Sequence, residues 1–330
     1  MAGSGKAHLR PDADIVLKVE DLKVEFNLGK NKVVKAVSGV SFDVERGETL
    51  AIVGESGCGK STLGKAVLQL PRPTGGSVQF LSKELTALKK DELRDMRPAM
   101  QMIFQDPISS LDPRLPVSEV LAEPLRVWKK GNKVEIDAKI NELLTAVNLD
   151  PAVVRDRRSY EFSGGQCQRI SIARSLALDP TLIICDEPVS ALDVSVQAQI
   201  LNLLQDMKDR YGLTLIFISH DLAVVKAVST RVMVMYLGKV CEIAPPDDLY
   251  QNTRHHYTKA LVGAVPIPDP ERKIRADLIQ GEPPSPMNPP SGCRFRTRCP
   301  AATEQCAAEE PQLREVSLGH FVACHHPIAE

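Results

Sequence analysis

The 330-residue chain has no long apolar run and no excess of charge of either sign. Its longer apolar stretches, such as LTLIFIS from Leu213, are far shorter than the ~18 residues that a membrane-spanning helix requires. The first fifteen residues lack the apolar core of a secretory signal. Lys and Arg number 41 and Asp and Glu 42, so the basic surplus typical of nucleic-acid-binding proteins is missing. We therefore expect no membrane span, no export signal and no nucleic-acid partner.

Cysteine is scattered thinly through most of the chain and concentrated only in its tail. Of the eight cysteines, four occur singly in apolar or catalytic-looking segments. Without an export signal these four indicate a reducing cytosol, where they are most simply small buried or half-buried side chains. They are Cys58, Cys167, Cys185 and Cys241.

Two kinds of hydrophobic periodicity divide the chain. Residues 15–53 alternate apolar and polar side chains between turn signals, which is typical of β-strands. Beyond Gly54, short apolar runs (MQMIF, TLIICDE, TLIFISH and RVMVMYLG) alternate with helical stretches, which predicts an α/β fold with a largely parallel, buried sheet. Residues 195–212 predict one long helix that ends at Gly212, because apolar residues recur there at helical spacing. These residues are Val196, Ile200, Leu203, Met207 and Tyr211.

Composition predicts three regions. Residues 1–14 are expected to form a flexible tail, 15–264 the main domain, and 265–330 a small extension. The extension opens with eight prolines between positions 265 and 292, which excludes a regular helix or a central strand and predicts an extended tether. Within the main domain, residues from about 115 to 178 are helix-like and predict an inserted helical subdomain.

A phosphate-binding motif begins at Gly54. The sequence GESGCGKS fits the pattern G-x-x-x-x-G-K-[ST], with the predicted strand TLAIV before it and a predicted helix up to Pro71 after it. Glycines let several backbone N–H groups point at one anion, and the helix adds the positive end of its dipole. Lys60 is expected to reach the β- and γ-phosphates and Ser61 to ligate Mg²⁺.

Two acids follow a second apolar strand. The run TLIICDE ends in Asp186 and Glu187, and an acid at the carboxyl end of such a strand can face Mg²⁺ beside the phosphate loop. We expect Asp186 to hold the metal and Glu187 to act as the general base on water. With the phosphate loop, these acids predict hydrolysis of a nucleoside triphosphate.

A second glycine-rich helix start lies at Ser163, Gly164, Gly165 and Gln166, where the serine is placed to cap the helix. The motif FSGGQ resembles the signature of ATP-binding cassette proteins, in which the signature of one subunit closes over the ATP held by another. The resemblance implies an antiparallel β subdomain, a RecA-like core and a helical signature subdomain. It also implies a role for Gln105 in contacting Mg²⁺ or water, for Asp193 at the subunit contact, and for His220 at the γ-phosphate.

The nucleotide site that the resemblance implies extends along the whole phosphate loop and to one aromatic residue. Phe26 could stack on the adenine, although core packing is an equal alternative from the sequence. The expected ATP-binding residues are Phe26, Gly54, Glu55, Ser56, Gly57, Cys58, Gly59, Lys60, Ser61, Thr62, Ser163, Gly164, Gly165, Gln166 and Asp193.

Taken together, the motifs resemble those of one group of cassette proteins. The series GESGCGKST, MIFQDPISSLDPR, EFSGGQCQRI, LIICDEPVSALDVS and FISHDLAVVK resembles the ATPase subunits of oligopeptide and dipeptide importers, and so does the C-terminal EPPSPMNPPSGCRFRTRCP. This implies ATP hydrolysis that powers peptide import at the cytoplasmic face of the inner membrane. The implied partners are a sister ATPase in a heterodimer, two membrane permeases and, indirectly, an external peptide-binding protein.

Four cysteines in the extension predict a metal site. Cys293, Cys299, Cys306 and Cys324 have the spacing C-x5-C-x6-C-x17-C, which lacks a C-x2-C pair and fits structural zinc poorly, whereas four thiolates suit an iron–sulfur cluster. The resemblance to importer subunits implies a [4Fe–4S] cluster. Zinc, reduced thiols and an incidental disulfide remain alternatives.

Three rival functions are open from the sequence. A soluble cassette ATPase of translation or DNA repair would normally carry two cassettes or a long coiled-coil insert, and neither occurs here. A redox-sensing regulatory ATPase would use the cysteine-bearing tail as its output. An importer of nickel instead of peptide stays possible because other subunits choose the substrate.

Overall fold

The computed structural model describes residues 5–11, 13–29, 32–265 and 281–329. The chain forms two compact units, one comprising Met1–Leu88 with Phe217–Glu330 and the other Lys89–Ile216. Part of the expected flexible tail (residues 1–4 and 12) and most of the expected proline-rich tether (residues 266–280) lie outside the described residues.

Twelve strands and eleven α-helices occur in the described residues. The strands are β1 Ile15–Asn27, β2 Val33–Glu45, β3 Thr49–Val53, β4 Gly75–Phe80, β5 Lys83–Glu84, β6 Met100–Ile103, β7 Leu182–Asp186, β8 Thr214–Ser219, β9 Arg231–Tyr236, β10 Lys239–Ala244, β11 Arg314–Ser317 and β12 His320–Val322. The helices are α1 Lys60–Val67, α2 Lys90–Met96, α3 Val117–Val127, α4 Lys133–Ala146, α5 Pro151–Val154, α6 Gly164–Leu176, α7 Val194–Tyr211, α8 Leu222–Val228, α9 Pro246–Gln251, α10 His256–Gly263 and α11 Glu304–Ala308. None of these helices combines the length and apolar character needed to cross a bilayer.

The first unit contains an antiparallel sheet and part of a mixed sheet. The antiparallel sheet has the order β2-β1-β4-β5, and its long hairpin of β1 and β2 comes from the alternating segment that predicted strands. In the mixed sheet β3 pairs with β9 in parallel, and β9, β10, β12 and β11 follow in antiparallel order. The antiparallel subdomain and the α/β class are therefore confirmed.

The sheet at this end is less parallel than the sequence predicted. A two-residue turn of Leu237 and Gly238 joins β9 to β10, so that Tyr236 pairs with Lys239. Both turn residues have positive φ, 44° and 77°, which is the conformation of the tight turns that suit antiparallel hairpins. The turn was missed because leucine is not a residue that favours positive φ.

The second unit is mainly helical around a short parallel pair. β6 pairs with β7 in parallel, and the fully described segment 115–178 contains α3, α4, α5 and α6 with no strand. α7 covers the long helix predicted over 195–212 and ends at Gly212, whose φ of 62° is the left-handed C-cap conformation. α1 in the first unit ends at Val67, earlier than the stop predicted at Pro71.

The N-terminal segment makes specific contacts with other parts of the first unit. Arg10 bonds Asp43 and Glu48, each at 2.7 Å, and Arg231 pairs with the same two acids at 2.8 and 2.9 Å. His8 is 2% exposed and its ring lies 2.7 Å from the carbonyl of Ser41. These contacts anchor the described residues of a segment that we expected to be a flexible tail.

Within the first unit, a buried carboxylate joins the C-terminal extension to β10. Glu242 on β10 accepts hydrogen bonds from the backbone N–H groups of Arg254 and His255, at 2.7 and 3.1 Å. His320 on β12 lies 2.6 Å from the same carboxylate, and both side chains are fully buried. Because a buried carboxylate needs such partners, this cluster fixes the extension against β10.

Candidate functional site

The phosphate loop lies between a buried strand and a helix, as the sequence predicted. β3 is buried along its whole length, and α1 begins at Lys60, directly after the left-handed Gly59. Backbone N–H groups at such a helix start have no partner within the helix and attract an anion. Residues 54–62 therefore have the geometry that the sequence predicted for an anion-binding loop.

Two of the loop glycines cannot carry a side chain. A Cβ at Gly54, where φ is 151°, would lie 2.1 Å from the carbonyl oxygen of Met235. A Cβ at Gly59, where φ is 104°, would lie 2.2 Å from the carbonyl oxygen of Ala36. The loop path thus depends on glycine for both conformation and close backbone approach.

Lys60 is buried within the loop. Its ammonium group donates to the carbonyl oxygens of Gly54 and Glu55, at 2.8 and 3.1 Å. The neighbouring Cys58 thiol has a raised pKa because it is buried, although the charge of Lys60 opposes that shift. The loop therefore holds a cation beside a neutral thiol.

The two predicted acids end a buried strand in the second unit. Asp186 is the last residue of β7 and is 2% exposed, and burial together with this acid raises the pKa of Cys185 to about 12. Glu187 follows with a φ of 47°, a conformation that is costly for an L-residue and that typically persists at functional sites. Gln105 donates a hydrogen bond of 2.9 Å to the Glu187 carboxylate. The structure thus brings Gln105 and Glu187 together.

The FSGGQ motif caps α6 in the way the sequence predicted. Ser163 Oγ accepts from the backbone N–H of Gln166 at 3.3 Å, and Gln166 Oε1 accepts from the backbone N–H of Ser163 at 3.0 Å. This reciprocal capping box fixes the start of the helix. The first turn of α6 therefore presents backbone N–H groups from a rigid terminus.

Segment 192–196 packs against the start of α6. A Cβ added to Gly164 would lie 3.4 Å from Leu192 Cδ2, and one added to Gly165 would lie 2.6 Å from Val196 Cγ1. Asp193 is exposed and forms the N-cap of α7. Glycine at position 165 is thus required by packing within the second unit.

The remaining predicted site residues are exposed. His220 directly follows β8, and the next residue, Asp221, caps α8 by accepting from the N–H of Ala223 at 2.8 Å. Phe26 lies near the end of β1 with 38% of its surface exposed, so the core-packing alternative does not hold. Its role in stacking stays a prediction.

Sequence reasoning missed two residues that contact the phosphate loop. The backbone N–H of Glu55 donates to the Tyr257 hydroxyl at 2.8 Å, and Arg298 pairs with the Glu55 carboxylate at 2.8 Å. Both lie more than 200 positions away along the chain, so local pattern gives no signal for them.

The four single cysteines and the four cysteines of the C-terminal extension carried separate predictions. Cys58, Cys167, Cys185 and Cys241 are all buried, which confirms the prediction for them. Within the described residues, which include every cysteine, no three His, Cys, Asp or Glu side chains form a group that could hold a metal ion. Four thiols are the right kind of ligand for an iron–sulfur cluster. The arrangement of Cys293, Cys299, Cys306 and Cys324 in the structure nevertheless supports neither zinc nor a cluster.

The class of protein follows from two glycine-rich helix starts in one chain, at Gly59 and at Ser163. A phosphate loop is common to many nucleoside triphosphatases, but a capped glycine pair ahead of an acidic strand end is typical of ATPases of the ATP-binding cassette class. A family model described as ABC transporter matches residues 37–190. One described as Oligopeptide/dipeptide transporter, C-terminal region, matches residues 241–306.

Comparison with individual proteins agrees with these two matches. The oligopeptide transport ATP-binding protein OppF of Salmonella typhimurium is 52% identical over 321 residues, which cover 94% of this chain and 96% of the relative. The putative oligopeptide transport ATP-binding protein YkfD of Bacillus subtilis is 50% identical over 313 residues, covering 94% and 95%. The chain therefore belongs to the family of ABC transporter ATP-binding subunits with the oligopeptide/dipeptide transporter C-terminal region.

Solved structures share the cassette fold. The dimeric ATP-binding cassette MJ0796 bound to ADP and Pi matches with a TM-score of 0.64 and 28% identity, over 70% of this chain and 98% of that one. The cbiO1 protein of Clostridium perfringens, part of the ABC transporter complex cbiONQ, matches with a TM-score of 0.65 and 29% identity, over 72% and 91%.

Proposed function

We propose that this chain binds and hydrolyses ATP to power the import of oligopeptides or dipeptides through a pair of membrane permeases. The observation that carries the proposal is the match of one chain to both the cassette and the peptide-transporter C-terminal region, together with 52% identity to an oligopeptide transport ATP-binding protein. The nickel and redox-sensing alternatives gain no support, because the similar proteins are named for peptide transport.

The phosphate loop grips the β- and γ-phosphates. Backbone N–H groups at the start of α1 bind the anion, and Lys60 exchanges its bonds to the loop carbonyls for bonds to phosphate oxygens. Phe26 stacks on the adenine. Mg²⁺, when bound, neutralises charge on the phosphates, and Ser61, Gln105 and Asp186 are the residues that would hold it.

Glu187 is the general base. Its carboxylate accepts a proton from the attacking water, and the hydrogen bond from Gln105 fixes the orientation of that carboxylate. His220 contacts the γ-phosphate. Because Glu187 is held by both its backbone conformation and its side-chain partner, the base needs little reorganisation before attack.

A second ATPase subunit completes each nucleotide site. The capped start of α6 at Ser163 presents N–H groups to the phosphate held by the partner, and Asp193 lies at the contact between subunits. The dimeric form of MJ0796 supports a pair of cassettes. We infer that the partner is a sister ATPase, and that the pair lies on the cytoplasmic face of the membrane against two permeases fed by an external peptide-binding protein.

The cysteine-bearing extension is proposed to take up a [4Fe–4S] cluster. Its support is the donor chemistry, since Cys293, Cys299, Cys306 and Cys324 are four thiols in one small segment. Iron and acid-labile sulfide measured on anaerobically purified protein test the idea. About four irons per chain with a broad visible absorption band support it, whereas iron-free protein of full ATPase activity contradicts it.

The test of the function uses the full chain with its membrane partners. Affinity capture from detergent-solubilised membranes should recover two permeases and a second ATPase. ATP-dependent peptide uptake should then be measured in vesicles that contain the captured complex. Uptake of nickel instead of peptide, or capture without any permease, contradicts the proposal.

A further inference from the structure

The C-terminal extension reaches the phosphate loop through one ion pair. Arg298 donates from Nη1 to Glu55 Oε2 at 2.8 Å and from Nη2 to Glu55 Oε1 at 3.2 Å. The arginine side chain is 7% exposed and the glutamate side chain 24%. Two parallel hydrogen bonds of this kind fix both the position and the plane of a carboxylate.

A buried aromatic cluster packs beside Arg298 and Glu55. Tyr236 on β9, Tyr257 on α10 and Phe295 in the extension are each at most 2% exposed. Their ring centroids lie 4.7 Å apart for the two tyrosines, and the Phe295 ring is 5.3 Å from each. The Tyr236 hydroxyl accepts from Arg298 at 3.3 Å, and the Tyr257 hydroxyl accepts from the Glu55 backbone at 2.8 Å. The cluster therefore fixes both partners of the ion pair.

A second contact links the extension to the phosphate loop indirectly, through the turn between β9 and β10. Arg294 donates to the carbonyl of Leu237 in the turn between β9 and β10. The next residue of that turn, Gly238, donates from its backbone N–H to the carbonyl of Cys58 at 2.8 Å. The extension thus contacts Glu55 directly and Cys58 through one intervening turn.

Charge explains why the loop needs this partner. A carboxylate beside a bound polyphosphate repels it, and the repulsion is strong where the surroundings are partly buried. Its partner Arg298 carries a positive charge, because an arginine guanidinium is not deprotonated in proteins, and it meets the carboxylate through two hydrogen bonds. The guanidinium therefore stays charged and neutralises the acid within the anion-binding loop.

We propose that Arg298 is a positioning residue for the phosphate loop: it neutralises and orients Glu55, so that the C-terminal extension sets the affinity of the loop for ATP. The inference rests on the proposed ATPase function. It assigns the extension a role in nucleotide binding that is separate from any metal it holds.

The first test is a set of variants of the full chain. Arg298→Gln should weaken ATP binding, measured by calorimetry, by about tenfold while kcat changes less than about twofold, since only the binding loop loses a partner. Adding Glu55→Gln should bring the dissociation constant back to within about threefold of the unaltered value, because the uncompensated charge is then gone. Arg296→Gln is the matched control, since the side chain of Arg296 bonds to Ser291, within the described part of the extension.

Two outcomes overturn the proposal. One is an Arg298→Gln protein that binds ATP as tightly as the unaltered chain. The other is a double variant that stays as weak as the single one, which would indicate that Arg298 acts only in folding the extension. If the unaltered chain itself fails to bind ATP, the proposed function fails instead.

A second measurement needs no variant. Because coupling between two sites is reciprocal, ATP should slow hydrogen–deuterium exchange in residues 293–299 as well as in residues 54–62. Slowed exchange confined to 54–62 confirms ATP binding but contradicts the role of the extension. Unchanged exchange in both segments contradicts ATP binding.

Discussion

The side-chain amide of Gln105 donates a hydrogen bond of 2.9 Å to the carboxylate of Glu187. The two residues are 82 positions apart, and each follows a strand of the parallel pair β6 and β7. Since Glu187 also has a left-handed backbone, both its main chain and its side chain are constrained. If Glu187 is the general base that we propose, its carboxylate needs little rotamer change before it accepts a proton from water.

Replacing the base should separate binding from hydrolysis. Glu187→Gln removes the proton acceptor but keeps the size of the side chain, so ATP turnover should fall by about 10²- to 10⁴-fold while the dissociation constant for ATP stays nearly unchanged. Phosphate release and calorimetry on the same sample measure the two quantities. Glu123→Gln, an exposed change on α3, is the control and should be neutral. Undiminished hydrolysis in Glu187→Gln rules out its assignment as the base.

Removal of the loop cation should act on binding first. Lys60→Met leaves the carbonyls of Gly54 and Glu55 without their donor and removes the charge that we propose binds the phosphates. Charge-assisted hydrogen bonds contribute about 1.5 to 3 kcal/mol, so ATP affinity should fall by about 10- to 100-fold. The exposed Lys83→Met on β5 should leave affinity unchanged. Equal affinities for the two variants would contradict the role of Lys60.

Close packing at the start of α6 predicts that Gly165→Ala destabilises the chain and that a second substitution restores stability. Gly165→Ala places a Cβ 2.6 Å from Val196 Cγ1, and a β-branched side chain in a helix has little freedom to move away. We expect a loss of about 1 to 3 kcal/mol in the free energy of unfolding, seen as a lower melting temperature. ATPase activity should fall as the capped helix start shifts.

The rescue distinguishes overpacking from other causes. Val196→Ala removes the clashing methyl, and Val196 Cβ itself lies 3.9 Å from the added atom, an ordinary contact. The double variant should therefore melt above Gly165→Ala alone. Gly263→Ala has open space around it and should be neutral or slightly stabilising. A double variant that is no more stable than Gly165→Ala would contradict the packing account.

Acid should destabilise the first unit through a buried histidine. Burial lowers the pKa of His255 to about 4, so the folded chain holds the ring neutral while the unfolded chain protonates it near pH 6.5. The contribution to stability is complete above about pH 6.5 and declines as the pH falls towards 4, by at most about 1.4 kcal/mol per pH unit. Melting temperatures at pH 7 and pH 5 measure it.

A cap-preserving variant isolates this effect. His255 Nδ1 accepts from the backbone N–H of Tyr257 at 3.0 Å and so caps α10. Asn at this position keeps an acceptor but does not titrate, so His255→Asn should show a weaker loss of stability between pH 7 and pH 5. His325→Asn in the tail is the matched control variant. An unaltered pH dependence in His255→Asn would exclude His255 as the cause.

Local chemistry made much of this architecture predictable. Alternation located β1 to β3, the Gly54 motif located the loop and α1, and Ser163 with Gln166 forms the capping box that the sequence indicated. Each of these features depends on residues within a few positions of one another. The acids at 186 and 187 were located for the same reason, because an apolar run that ends in acidic residues predicts a buried strand with carboxylates at its end.

Contacts between distant segments were not predictable. Tyr257 and Arg298 reach Glu55 across 202 and 243 positions, and His320 reaches Glu242 across 78. Hydrophobic periodicity does not predict such pairs, since they depend on how helices and strands pack against one another in the folded chain. The β9–β10 hairpin was missed for another reason, because Leu237 adopts a turn conformation that its side chain does not favour.

Peptide uptake by the assembled transporter tests the central claim most directly. Vesicles that contain the chain with the permeases and sister ATPase that we propose as its partners should take up peptide on addition of MgATP, and uptake should be lost when this chain carries Lys60→Met. Peptide uptake that continues at the full rate with that variant, or ATP hydrolysis without any peptide movement, would contradict the account.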